Sequence, residues 1–168
     1  MAKDNDKFDG WDDLNNRVDS YTEKVYGTFD YDRTVGRSPL FGKYYYPAMV
    51  VCCADKNKQN FGESYSRAPY VKEYELTKIA AEMARTFKMP RTFAFKDLKK
   101  YSLENHFRIG NCAEQHAANE MLFCIKQRQR DIYSEIKIKE DIYFSKAVRP
   151  STGEVFPYCR NCKALFDL

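Results

Sequence analysis

The spacing of apolar residues predicts a helix near the start of the chain and a β-hairpin after it. Intervals of three and four residues separate the apolar positions Trp11, Leu14, Val18, Tyr21 and Val25. This is the period of a helix with one buried face, and we expect the helix to end at Gly27. The apolar run AMVVCCAD, the polar turn DKNKQN and the segment FGESYS then predict a hairpin over residues 47–66.

Three more helices and one more strand are predicted in the rest of the chain. A helix is expected to open at Pro69 and to end before Pro90, with apolar residues on one face. The clearest helix covers residues 111–127, and a strand follows near residues 138–148. A turn-rich loop then leads to a short C-terminal helix. This order predicts a single α/β domain over residues 1–168, with the helix and loop of residues 1–45 packing on its core.

The composition is that of a globular protein. Hydrophobic residues make up 43% and charged residues 31% of the 168 residues. The longest uncharged apolar run, residues 47–54, is far too short to span a bilayer. The first residues are charged and form no apolar signal segment, so we expect a cytoplasmic protein with no membrane partner. An effector exported by another route, or a piece cut from a larger parent, would have the same features.

Positive charge is concentrated after residue 40. Residues 41–168 carry a net charge of +7, and residues 88–108 combine lysines and arginines with aromatic side chains. Such a segment can hold a phosphate backbone and stack bases, which would suit a single-stranded nucleic acid. A solvated helix face with aromatic residues in the core explains the same pattern, so both interpretations stay open.

Three cysteines and one glutamate form the most informative pattern. Cys112-Ala113-Glu114 opens the clearest helix, and Cys159 and Cys162 follow after 46 intervening residues. Two thiolates three residues apart can face one ion from a single tight turn, and a third thiolate from another helix start makes three ligands. Three protein ligands leave one position of a tetrahedral zinc ion open, as in a catalytic site. Glu114 would lean into that site without being a ligand.

Each element of this pattern also has a simpler explanation. Glu114 could close a capping box if Asn111 is the N-cap of the helix. The C-x-x-C pair could be a redox motif, although these need a βαβ context. A structural zinc site would need a fourth ligand, and His116 and Cys124 are the nearest candidates. Cys52, Cys53 and Cys124 are also predicted to be small buried residues, with Cys52 and Cys53 on opposite faces of a strand.

At these residues the chain resembles the zinc-dependent cytidine deaminase-like superfamily, whose signature is H-x-E or C-x-E followed by P-C-x-x-C. The segments NCAEQHAANEML and PYCRNCKALF resemble its two zinc helices, and VVCCADKNKQNFGESYS resembles its first two strands. The resemblance implies a three-layer α/β/α sandwich with a mixed central β-sheet. Tyr158 separates Pro157 from Cys159, and the chain ends soon after Cys162. In this short C-terminus, and in the long segment before the first zinc helix, the chain looks more like the deaminase domains of bacterial polymorphic toxins.

The resemblance implies a hydrolytic deaminase that acts on a cytosine base, either in a nucleoside or in single-stranded DNA or RNA. Zn²⁺ activates a water molecule, and Glu114 moves the protons. The zinc ligands are Cys112, Cys159 and Cys162. Candidate substrate contacts are Tyr158, Ser64, Phe107 and Arg108. Two competing functions remain: a toxin-like effector that deaminates another substrate, and a non-catalytic zinc module that presents a binding surface.

Overall fold

A computed structural model of the chain describes residues 3, 5–34, 47–66, 76–89, 100–104 and 112–168. The helices in these residues are α1 (Trp11–Thr34), α2 (Leu76–Phe87), α3 (Ala113–Arg128), α4 (Arg130–Glu135), α5 (Ile138–Asp141) and α6 (Arg160–Phe166). The strands are β1 (Val50–Asp55), β2 (Phe61–Tyr65), β3 (Ile142–Phe144), β4 (Ala147–Val148) and β5 (Val155–Phe156). The order is that of a mixed α/β protein, as the sequence predicts.

The sheet is built around β1. On one side β1 pairs with β2 through the predicted hairpin, and on the other side it pairs with β3 and β4. Strand β5 completes the sheet beside β4. All of these pairs are antiparallel, so the expectation of a mixed sheet is wrong for the described residues. The reason is that β3 and β4 return alongside β1 in the opposite direction, and β5 follows β4 through a tight turn.

A β-bulge interrupts the strand formed by β3 and β4. Cys53 lies opposite Phe144 and Val50 lies opposite Val148, so the β3–β4 side contains one extra residue. Ser145 occupies this bulge and is fully buried. Its backbone N–H donates to the carbonyl of Cys52 at 2.8 Å, and its hydroxyl accepts from the backbone N–H of Cys52 at 3.0 Å. The bulge therefore keeps its polar groups bonded although it lies in the core.

Helices cover both faces of the sheet, which gives three layers. Side chains alternate along β1, so Val51 and Cys53 pack among residues of α2, α3 and α6. Cys52 packs on the opposite face, against the buried stripe of α1. The placement of the two adjacent cysteines on opposite faces confirms the prediction. Because both faces are covered, all six residues of β1 are buried.

Helix α1 has the predicted buried stripe but does not end at the predicted residue. Leu14, Val18 and Val25 are buried against the sheet, and the helix continues to Thr34. Gly27 lies on its exposed side, where a Cβ would meet no heavy atom within 4 Å. A glycine inside a helix costs about 1 kcal/mol relative to alanine, which is too little to stop a long helix. The glycine was therefore a weak stop signal.

The predicted strand over residues 138–148 is also only partly present. Its first four residues form the short helix α5 instead. The carboxylate of Asp141 accepts a hydrogen bond from the backbone N–H of Lys137 at 2.8 Å, which closes this turn. Ile138 is buried in this helix. A buried apolar residue also fits a strand, so the apolar pattern did not distinguish a helix from a strand here. Of the predicted helix between Pro69 and Pro90, residues 76–87 are confirmed as α2, and both prolines lie outside the described residues.

Lys3 joins the N-terminal segment to the end of α6. Its ammonium group donates to the carbonyl of Phe166 at 2.8 Å and also to the carbonyl of Ile142. Its backbone N–H donates to the carboxylate of Asp167 at 3.0 Å. The side chain is buried, and this desolvation lowers the pKa of Lys3 from 10.5 to about 8. The C-terminal end of α6 is thereby fixed to the sheet.

The buried ammonium should make stability depend on pH in the alkaline range. Between pH 8 and 10.5 the unfolded chain holds the Lys3 proton and the folded chain has released it. The free energy of unfolding of the wild type, measured relative to Lys3→Met, should therefore rise with pH across this window, by at most about 3 kcal/mol. Urea unfolding of both proteins at several pH values measures this difference. A difference that stays flat or falls would contradict the assignment.

Candidate metal centre

The beginnings of α3 and α6 bring three cysteines together. Cys112 is the N-cap of α3, Cys159 is the N-cap of α6, and Cys162 lies in the first turn of α6. Their sulfur atoms all lie within 4.8 Å of one another, and the Sγ atoms of Cys112 and Cys159 are 3.4 Å apart. The three residues that the sequence predicts as ligands therefore converge, although 46 residues separate Cys112 from Cys159. We call them the cysteine cluster.

The cysteine cluster fits a tetrahedral metal ion. Zinc–sulfur bonds of about 2.3 Å place two ligand sulfurs about 3.8 Å apart in tetrahedral geometry, close to the spacing found here. Sulfur donors suit zinc, copper(I) and iron–sulfur chemistry, so the cluster can hold a soft metal ion. Among the described residues, neither His116 nor Cys124 belongs to this group of potential ligands. Cys124 is partly exposed, so the prediction that it is buried is wrong. His116 is buried, which lowers its pKa to about 4 and keeps the ring neutral at pH 7.

Hydrogen bonds inside the cysteine cluster favour a single thiolate when no cation is bound. The thiol of Cys112 and the backbone N–H of Cys162 donate toward the Sγ of Cys159, and these bonds hold the pKa of Cys159 well below that of a free thiol. The same interaction raises the pKa of Cys112, and burial raises the pKa of Cys162. Three negative sulfurs at this spacing repel one another, so all three can be thiolates together only if a cation lies between them.

Glu114 lies beside the cysteine cluster in the first turn of α3. The thiol of Cys162 donates to its Oε2 at 3.4 Å, and only 5% of Glu114 is exposed. Cys112 is the N-cap, so Glu114 is the second residue of the helix and not the third, which a capping box needs. Asn111 lies outside the described residues. Burial raises the pKa of the Glu114 carboxyl to about 7. Such a group can both accept and release a proton near neutral pH.

Gln115 is a neighbour of the cysteine cluster that the sequence analysis missed. Its side chain is almost completely buried, and its Nε2 donates to the Sγ of Cys162 at 3.9 Å. A donor of this kind stabilises a thiolate and fixes the direction of its sulfur. The available signal was a polar residue on a helix whose other residues are mostly small or apolar. That signal does not indicate which neighbour the side chain reaches.

Asn161, between the two cysteines of α6, fastens residues 102–104 to the site. It is fully buried, its Oδ1 accepts from the backbone N–H of Leu103 at 2.8 Å, and its Nδ2 donates to the hydroxyl of Ser102 at 2.8 Å. The carboxylate of Glu104 accepts from the backbone N–H of Arg160 at 2.9 Å. These bonds span more than 50 residues of sequence, and the sequence analysis did not identify them.

The predicted substrate contacts have different positions. The hydroxyl of Tyr158 donates to the carbonyl of Ser145 at 2.6 Å, which ties the residue before Cys159 to the β-bulge. Ser64 is buried in β2. Phe107 and Arg108 lie outside the described residues, as does most of the basic segment 88–108. A role in substrate binding stays a prediction for all four residues.

No helix among the described residues is long and apolar enough to cross a membrane. Comparison of the chain with known protein families, with curated proteins and with solved structures finds no significant match. The cysteine cluster, Glu114 and the elements that hold them are therefore the features that bear on function.

Proposed function

We propose that the protein is a zinc-dependent hydrolytic deaminase acting on a cytosine base, with a fold of the cytidine deaminase-like three-layer type. One observation carries the proposal. Three sulfur donors converge within 4.8 Å, and the buried carboxylate of Glu114 lies 3.4 Å from one of them. A site with three protein ligands leaves room for water or substrate, whereas a structural zinc site is closed by a fourth ligand.

The layered arrangement supports the same proposal. The two cysteine-bearing helices lie on one face of the sheet and α1 covers the other. The C-x-E segment begins α3 and the C-x-x-C pair begins α6 later in the chain, which is the signature order of zinc deaminases. Sheet, hairpin and helices thus supply a rigid frame for the site, as a catalytic constellation needs.

The chemistry follows from the residues at the site. Zinc held by the cysteine cluster would supply Lewis-acid activation of a water molecule. Glu114 accepts the first proton of the attacking water and gives it to the ring nitrogen of cytosine. It then takes the proton of the new hydroxyl group and gives it to the amino group, which leaves as ammonia. Gln115 holds the sulfur of Cys162 in place, and Asn161 keeps residues 102–104 against the start of α6. The net reaction exchanges the amino group of the base for an oxygen atom from water.

The expected metal dependence tests this function directly. Purified protein should contain about one zinc ion per chain and release ammonia from cytosine, cytidine, its nucleotides or single-stranded oligonucleotides. Removing the metal with a chelator should abolish ammonia release, and adding zinc should restore it. Cys159→Ser should lose zinc, whereas Cys124→Ser, outside the cysteine cluster, should keep both zinc and activity.

The outcomes of this experiment separate the competing functions. Bound zinc with no ammonia release from any cytosine substrate would favour the non-catalytic zinc module. Release from adenine nucleotides or from a protein amide alone would favour an effector-type deaminase. Ammonia release that persists after complete removal of metal would contradict a metal-dependent mechanism. Salt-sensitive binding of oligonucleotides would support a polymeric substrate over a free nucleoside.

A further inference from the structure

The three cysteines of the cluster differ in accessibility. Cys112 and Cys159 are partly exposed, whereas Cys162 has no exposed surface. The two partly exposed residues are also the pair whose sulfur atoms are 3.4 Å apart. A disulfide bond has a sulfur–sulfur distance of about 2.05 Å, so a shift of roughly 1.4 Å would join them. Cys112 and Cys159, at the starts of two different helices, are therefore close enough for a small movement to join their sulfur atoms.

We propose that Cys112 and Cys159 form a reversible disulfide that competes with metal binding, while Cys162 remains a free thiol. The bond would join the beginning of α3 to the beginning of α6. It would remove two of the three sulfur donors, and a single remaining cysteine cannot retain the ion. The regulatory consequence rests on the proposed function, because only a metal-dependent enzyme would be switched off by this bond. The disulfide itself depends only on the geometry of the cysteines.

The contacts of Cys162 argue against the usual alternative for a C-x-x-C pair, a Cys159–Cys162 disulfide. Its thiol is held by the carboxylate of Glu114 at 3.4 Å and by the amide of Gln115 at 3.9 Å. Forming a bond to Cys159 would turn the sulfur of Cys162 away from both partners and leave their buried polar groups without it. Burial also keeps dissolved oxidants from reaching this sulfur. Cys112 is partly exposed, so dissolved oxidants can reach it, and joining it to Cys159 leaves the contacts of Cys162 in place.

A low-molecular-weight disulfide, such as oxidised glutathione, is the oxidant we assign to this reaction. The thiolate of one exposed cysteine attacks a sulfur of the reagent, which forms a mixed disulfide and expels one glutathione thiolate. The second cysteine then attacks the protein sulfur of the mixed disulfide and expels the other glutathione thiolate. The two protein sulfurs lose two electrons and the reagent gains them. In the metal-free protein the protons of the cysteine thiols pass to the released glutathione; in the zinc-loaded protein the ligands are thiolates, and the released glutathione takes its protons from water. Zinc leaves with its charge unchanged.

The test is oxidation of the purified full chain with oxidised glutathione, both zinc-loaded and after treatment with a chelator. Peptide mapping without reduction locates the disulfide, and a chromogenic chelator records released zinc. We expect the peptide containing Cys112 to be linked to the peptide containing Cys159. About one zinc ion should be released for each disulfide formed, and dithiothreitol should restore zinc binding. Both readouts are independent of turnover.

Three variants make the assignment specific. Cys162→Ser should lose metal affinity but still form the disulfide, whereas Cys112→Ser and Cys159→Ser should not form it. A disulfide mapped to Cys159–Cys162, a mixed disulfide that never closes, or zinc retained after oxidation would each overturn the proposal. If the chain binds no zinc and yet forms the Cys112–Cys159 bond, the proposed function fails and the disulfide stands. If it binds zinc and forms the Cys159–Cys162 bond instead, the disulfide proposal fails, and ammonia release alone decides the proposed function.

Discussion

Replacement of Glu114 by glutamine is expected to reduce turnover by roughly 10²–10⁴-fold while the zinc stays bound. The amide has nearly the same shape as the carboxylate, and its NH2 group can donate to the Cys162 thiolate of the zinc-bound site. It cannot take a proton from water and return it to the base. Because Glu114 is 5% exposed and its carboxylate lies against Cys162 of α6, no base from solvent can easily replace it.

Glu120→Gln is the matched control for this experiment. Glu120 is on the same helix and is partly buried. Burial raises the pKa of its carboxyl, and the negative charge of Glu63 in β2 raises it further. The substitution removes the same charge from α3 at a point away from the cysteine cluster. Its turnover should therefore stay within about twofold of the wild type, because no proton transfer at the cluster involves it.

Ammonia release gives kcat and KM for both variants, and the zinc content of each preparation shows whether the site is intact. Glu114→Gln with zinc bound and with a kcat near that of the wild type would exclude Glu114 as the proton carrier. A Glu114→Gln preparation that has lost its zinc would assign the residue a role in holding the cysteine cluster instead.

The sequence could predict the residues of the cysteine cluster because each depends on short-range geometry. A C-x-E segment at a helix start fixes Cys112 relative to Glu114, and a C-x-x-C pair at another fixes Cys159 relative to Cys162. The same applies to the buried stripe of α1 and to the hairpin of β1 and β2, whose patterns lie within one element or one turn. Only the meeting of the two helix starts needed a long-range contact.

Other features were not predictable because they depend on contacts between distant segments. The direction of β3 and β4 beside β1 is set by how the chain returns after α5, and no local pattern records it. The bulge at Ser145 is held by Cys52 and by the hydroxyl of Tyr158, which lie far apart in the sequence. Asn161 has no distinguishing local pattern in the sequence, and its hydrogen bond to residue 103 is seen only in the folded structure. The end of α1 was also missed, because the cost of Gly27 is too small to stop a long helix.

Gly62→Ala is expected to destabilise the protein by about 3 kcal/mol, at the upper end of the range for overpacked cores. Gly62 lies in β2 where α3 crosses it, and a Cβ at this position would overlap the carbonyl oxygen of Ala117. It would also come within 2.9 Å of Met121 Cβ and 3.0 Å of Met121 N. Two of these three atoms are backbone, so no change of rotamer relieves the contact, and α3 must move away from the sheet.

The same displacement should reach the metal centre, because α3 also carries Cys112 and Glu114 at its start. Gly62→Ala should therefore weaken zinc binding even at temperatures where the chain is still folded. Gly27→Ala is the matched control, because its Cβ would meet no heavy atom within 4 Å and the residue lies inside a helix. That variant should be more stable by roughly 0.5–1 kcal/mol and should bind zinc as the wild type does. Urea unfolding and zinc titration of the two variants measure both effects. If Gly62→Ala matches the wild type in both, α3 does not lie as close to β2 as the structure places it, and the frame inferred for the cysteine cluster is wrong.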